Sequence, residues 1–90
     1  MEIQFDAEKR DKTLLCRGLD FARAGEVFVQ EWLVKKDDRF DCGEARFISY
    51  GRLDDREIVL VWTQRGTARR IISMRYAHER EIKIARSQLG

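Results

Sequence analysis

Four residues in the second half of the chain have the types and spacing to hold a phosphate: Thr63 and Arg65, two apart, and Ser73 and Arg75, again two apart. Side chains alternate across a β-strand, so each pair falls on one side of its strand. That parity groups Val59, Val61, Thr63 and Arg65 against Ile58, Leu60, Trp62 and Gln64, and it groups Ile71 with Ser73 and Arg75. If the two strands form a hairpin, two guanidinium groups and two hydroxyls converge near one end. A guanidinium presents a planar fork that suits two phosphate oxygens at once. Arg69 and Arg70 lie on opposite faces, so at most one of them joins Arg75, and Arg70 is taken as the candidate. Tyr76 and Trp62 stand nearby, and aromatic faces beside arginine are how single-stranded nucleic acid is commonly held. For Trp62, core packing is the competing use.

These groups need elements to carry them. Ile3 and Phe5 read as a short strand, followed by a helix over Ala7–Cys16 with Asp6 as its N-cap and Gly18 as its stop. A second helix opens at Asp20, with Phe21, Ala24, Val27 and Phe28 at helical spacing facing the core. Glu31–Lys36 reads as a strand, and the run from Asp37 to Gly43 as a polar turn. Ala45–Gly51, Glu57–Thr63 and Arg69–Met74 are strand-like, separated by Leu53-Asp-Asp-Arg56 and Gln64-Arg-Gly-Thr67, which predicts an antiparallel meander. A terminal helix runs from about His78 to Leu89, loosely docked. The order β-α-α-β-β-β-β-α predicts an α+β fold: two N-terminal helices and a C-terminal helix around a mostly antiparallel sheet of four to five strands. Helices gathered on one face of that sheet would leave the other available.

Ninety residues make a single domain spanning 1–90, and 43% hydrophobic with 38% charged residues and no proline exclude a disordered or collagenous chain. No apolar run approaches the ~20 residues that span a bilayer. The opening Met1-Glu-Ile-Gln-Phe-Asp lacks a secretion-signal pattern, so the expected location is cytoplasmic and no membrane contact is expected. Cys16 and Cys42 match no redox or zinc spacing and read as buried or idle thiols, and with one His neither metal nor cofactor is expected. The net charge of +2 hides a division: residues 62–90 hold seven Lys or Arg against two Asp or Glu, and residues 1–61 hold eleven against fourteen. The basic end and the arginine count, thirteen of eighteen basic residues, make phosphate a candidate ligand. Lys9, Arg10 and Lys12 on the first helix offer phosphate contacts, but Glu8 and Asp11 beside them make a solvated face the simpler reading.

The chain resembles the BrnT toxins, ribonucleases of bacterial toxin–antitoxin modules with a RelE-like fold. The resemblance is carried by Ile3-Gln-Phe-Asp6, Gly18-Leu-Asp-Phe-Ala22, Gly43-Glu-Ala-Arg-Phe-Ile48 with Gly51, Thr63-Gln-Arg65, and Arg70-Ile-Ile-Ser-Met-Arg75 with Ala77 and Glu81. It implies a metal-independent endoribonuclease that inhibits growth by blocking translation. It also implies a BrnA-type ribbon-helix-helix antitoxin, operator DNA bound through that antitoxin, and a homodimer within a heterotetramer. In RNA cleavage a 2′-hydroxyl attacks the adjacent phosphate, a base takes its proton and cations hold the developing charge. Arg65 and Arg75 suit the last role, and Glu81 and His78 are the proton-transfer candidates. Thr63, Ser73, Arg70, Tyr76 and Arg17 complete the expected RNA contacts.

Two departures bear on this. Where the family has Lys-His before the glycine, this chain has Cys16-Arg17, and a guanidinium does not deprotonate. Where the family has Ser or Thr, this chain has His78, so Glu81 three residues on is either a helix-capping residue or a catalytic one. A catalytically degenerate toxin that only binds its antitoxin, and a general nucleic-acid-binding module, are therefore the competing readings.

Overall fold

The computed structural model describes residues 2–38 and 43–89. Strand β1 (Glu2–Gln4) leads into helix α1 (Ala7–Arg17), a 3-10 turn (Phe21–Arg23) and the short helix α2 (Ala24–Val29). Strands β2 (Leu33–Asp37), β3 (Arg46–Leu53), β4 (Arg56–Arg65) and β5 (Ala68–Tyr76) follow, then helix α3 (Glu79–Ser87). The sheet order is β1-β5-β4-β3-β2, antiparallel throughout except for β1, which lies parallel to β5. The fold is α+β, as the order of elements predicts. Most of the predicted polar turn after β2, including Cys42, lies outside the described residues, whereas Cys16 is a free, exposed thiol. Among the described residues, no helix is long and apolar enough to cross a membrane.

Local chemistry explains the elements. The Asp6 carboxylate accepts from the backbone N–H of Glu8, and Gly18 ends α1 in the left-handed conformation at φ 70°. Asp20 caps the 3-10 turn through the Ala22 N–H and is clamped by Arg10. The β3–β4 hairpin turns on Asp54 and Asp55, both at positive φ, in the two-residue geometry that matches strand twist. Arg23 holds the Asp54 carboxylate with two hydrogen bonds, tying that turn to the helices.

One face of the sheet carries the main core: Leu19, Phe21, Val27 and Phe28 pack on Ile58, Leu60, Trp62, Ile71 and Met74. Trp62 is a core residue, stacked on Phe47 and edge-on to Phe28, with its indole N–H donating to the Ser49 hydroxyl. On the opposite face Ala85 of α3 packs against Tyr50 and Val59. The helices are therefore divided between the two faces, not gathered on one as the element order alone suggests. Nor is α3 loosely docked: Ala85 is buried, and Arg86 lies over the Trp32 ring while donating to Glu57.

A β-bulge interrupts the β4–β5 ladder. Val61 faces Ser73 and Trp62 faces Ile71, so Ile72 has no opposite residue. The strict alternation expected through β5 is broken there. Ile71 joins the core instead of sharing a face with Ser73 and Arg75, while Arg70 comes to lie opposite Thr63.

Candidate active site

The outer face of the sheet, beside α3, holds a groove of about 640 Å³. Val59, Val61, Ile48 and Tyr50 form its floor, and Lys35, Lys36, Asp37, Asp38, Ser73, Arg75 and Glu81 contribute to its walls. Lys35 stands opposite Ile48 in the β2–β3 ladder, and its ammonium approaches the Tyr50 ring at 5.9 Å. Ser73 and Arg75 reach the groove from β5 because the bulge keeps them in phase with Val61 and Val59.

Arg75 and Glu81 form the best-defined polar pair. Two guanidinium nitrogens donate to the two carboxylate oxygens at 2.8 and 2.7 Å, a fork-to-fork arrangement that fixes the guanidinium plane. Glu81 also accepts from the backbone N–H of His78 at 3.2 Å, so it caps the helix and holds Arg75 at the same time. The hydrogen bonds from Arg75 keep the Glu81 carboxyl below its ordinary range; partial burial opposes them and the His78 N–H assists. Glu81 is thus an anion at neutral pH and on its own a weak base.

The other sequence candidates are spread more widely. Thr63 and Arg65 share the face of Ser73 and Arg75, but they do not converge with them. Arg65 stands opposite Ala68 whereas Arg75 stands opposite Val59, and six residues of strand separate the two sites by ~20 Å. Thr63 is buried, and its hydroxyl donates to the Ala45 carbonyl. Arg65 pairs with Glu44. Arg70 opposes Thr63 on the groove face, beyond the bulge. Tyr76 packs against the main core under the Arg56 guanidinium at 3.7 Å, on the reverse of the sheet. Arg17 closes α1 and donates to the Met74 carbonyl at 3.0 Å. His78 is exposed at the start of α3.

Sequence reasoning missed Lys35, Lys36 and Tyr50. The adjacent lysines followed by Asp37 and Asp38 were the available signal, yet alternation alone does not say which strand borders which. Among the described residues, no three His, Cys, Asp or Glu side chains stand close enough to hold a metal ion. The groove brings together three cations, a hydroxyl and three carboxylates, Asp37, Asp38 and Glu81, groups that can hold a phosphate and move a proton.

Residues 5–81 match the family model described as ribonuclease toxin, BrnT, of type II toxin–antitoxin system. No curated protein matches the chain.

Proposed function

The chain belongs to the BrnT ribonuclease toxins of type II toxin–antitoxin systems, and from that premise we propose that it is a metal-independent endoribonuclease that cleaves cytoplasmic RNA and so blocks translation. The observation that carries this reading is the Arg75–Glu81 fork on the wall of a groove that also holds Lys35 and Lys36. In the proposed reaction the RNA 2′-oxygen forms a bond to the adjacent phosphorus and the bond to the 5′-oxygen breaks. The products are a 2′,3′-cyclic phosphate and a free 5′-hydroxyl. Arg75 stabilises the charge that develops on the non-bridging oxygens, supplying what a metal would otherwise supply. When the phosphate shares the guanidinium, the hydrogen bonds that depress Glu81 weaken, its basicity rises, and it accepts the 2′-hydroxyl proton. His78 donates a proton to the departing 5′-oxygen. Ser73 and Lys35 hold the strand; Arg70, Thr63 and Arg65 lie farther along the same face as outlying contacts.

The proposed partner is a BrnA-like ribbon-helix-helix antitoxin. It covers the groove, carries the complex to operator DNA, and brings two toxins into a heterotetramer. A second reading, a degenerate toxin that survives by binding its antitoxin, is favoured by one observation: Arg17 serves as a strut to the Met74 carbonyl at a position where the family has an acid–base residue. Purified protein incubated with labelled single-stranded RNA in EDTA separates the two. Cleavage to a cyclic phosphate end, lost in Arg75→Ala, supports the nuclease. An inert wild type that still binds the antitoxin tightly supports the degenerate toxin.

A further inference from the structure

A second concavity, of about 410 Å³, lies between α1 and β5, lined on one side by Lys9, Lys12, Thr13 and Arg17 and on the other by Ile72 and Ser73. Resting on the ribonuclease reading, we infer that this cleft is a sequence-indifferent site for the phosphate backbone of single-stranded RNA, taking up nucleotides beyond those held in the groove. Five observations converge on it.

Its three cations have no carboxylate partner among the described residues, whereas neighbouring Arg10 and Arg23 are each doubly engaged by acids. Glu8 and Asp11, which made this helix look like an ordinary solvated surface, do not line the cleft. Lys9 and Arg17 are drawn across it by backbone carbonyls, Nζ to Ile72 O at 3.4 Å and a guanidinium nitrogen to Met74 O at 3.0 Å. Neutral carbonyls position these groups without cancelling their charge, and each retains further N–H donors.

Helix α1 buries none of its eleven residues. A helix so short is marginal by itself, and a cationic wall for the cleft is a use that core packing does not give it. Finally, Ser73 lines both the cleft and the groove, so the two surfaces meet at the uncovered part of the β5 edge beyond Arg70, where pairing with β1 ends. A strand whose scissile phosphate sits at Arg75 can continue over that edge to Lys9 and Lys12. Hydroxyls from Thr13 and Ser73 suit phosphate oxygens, and Phe21, the cleft's aromatic residue, is buried, so base stacking is not provided.

The test uses 2′-O-methyl RNA, which lacks the attacking hydroxyl, so that binding is read apart from cleavage. Oligomers of about four and about twelve nucleotides are titrated across a range of salt concentrations. For Lys9→Ala/Lys12→Ala we expect roughly tenfold weaker binding of the longer oligomer, unchanged binding of the shorter one, and a log–log salt dependence shallower by about 1.4 for two lost phosphate contacts. Lys9→Arg/Lys12→Arg should behave as wild type, and thermal melting confirms that both variants fold. Wild-type affinity and salt slope in the alanine variant, or equal losses at both lengths, overturn the inference. So does a variant that loses only antitoxin binding, which would make the cleft a protein interface. If natural RNA is not cut while the length-dependent loss persists, the nuclease reading fails and the cleft stands; normal cleavage with an indifferent alanine variant is the reverse.

Discussion

At the scale of single residues, Glu81 joins a structural task to a chemical one. Its carboxylate caps α3 and holds Arg75, and both interactions require the anion. Its folded pKa lies below the ordinary 4.5, so the stability it contributes is fully present above that value and is lost as pH falls through the depressed one. Urea titrations of Glu81→Gln should therefore show a deficit of about 1 kcal/mol near neutrality, shrinking toward zero in acid below the folded pKa. Arg75→Lys keeps a charge but not the fork, and RNA cleavage assays should record a loss of about 10²-fold or more in rate while the melting temperature moves little. Arg75 and Ser73 were readable as a pair because two-residue periodicity holds between them. Their convergence with Arg65 was not, since parity fixes a face and says nothing of distance along a hairpin. Lys35 and Lys36 were invisible as site residues because their strand is joined to the groove by ladder order, a long-range property.

At the scale of elements, two contacts decide where the helices sit. Gly51 of β3 lies under α2: a Cβ there would meet the Val27 carbonyl oxygen at 2.5 Å and its Cγ1 at 2.8 Å. Backbone cannot yield as a side-chain tip does, so Gly51→Ala should cost on the order of 3 kcal/mol, measured by denaturant unfolding. Ala85 is the buried point of α3 on the outer face. Ala85→Asp should release α3 and with it Glu81, so that cleavage falls at least tenfold although Arg75 itself is intact; circular dichroism would show helix loss with the sheet retained. Strand and turn positions were legible because alternation, Asp-Asp and Gly-containing turns are local signals. The assignment of α3 to its own face was not, because an amphipathic pattern identifies an apolar side without identifying the surface it meets. The main departure inside the sheet, the bulge at Ile72, has no local signature in a run of β-branched and apolar residues.

At the scale of the whole molecule, the segregation of charge along the chain largely disappears on folding. The basic end is matched to acids from the first two thirds: Arg65 to Glu44, Arg69 to Glu31 and Arg86 to Glu57. At the groove and cleft, Arg75 of β5 is joined by Lys9, Lys12 and Arg17 from α1 and by Lys35 and Lys36 from β2, a redistribution that counting residues could not foresee. A domain of this size has a modest stability margin. A partner that binds only the folded form should raise the melting temperature progressively with its concentration, by about 2.7 kcal/mol of added stability at a hundredfold excess over Kd; scanning calorimetry with purified antitoxin would show it. The bulge at Ile72 also has a consequence for how the sequence tolerates change. A two-faced sheet is written in a two-letter rhythm, and β5 skips one beat midway. Removing Ile72 would restore the rhythm and leave the start of the strand as it lies, Ile71 still opposite Trp62 in the core and Arg70 still opposite Thr63. A shortening by one residue, which inside a strand ordinarily exchanges the inside of the sheet for its outside, would here be absorbed, because the residue lost is the unpaired one.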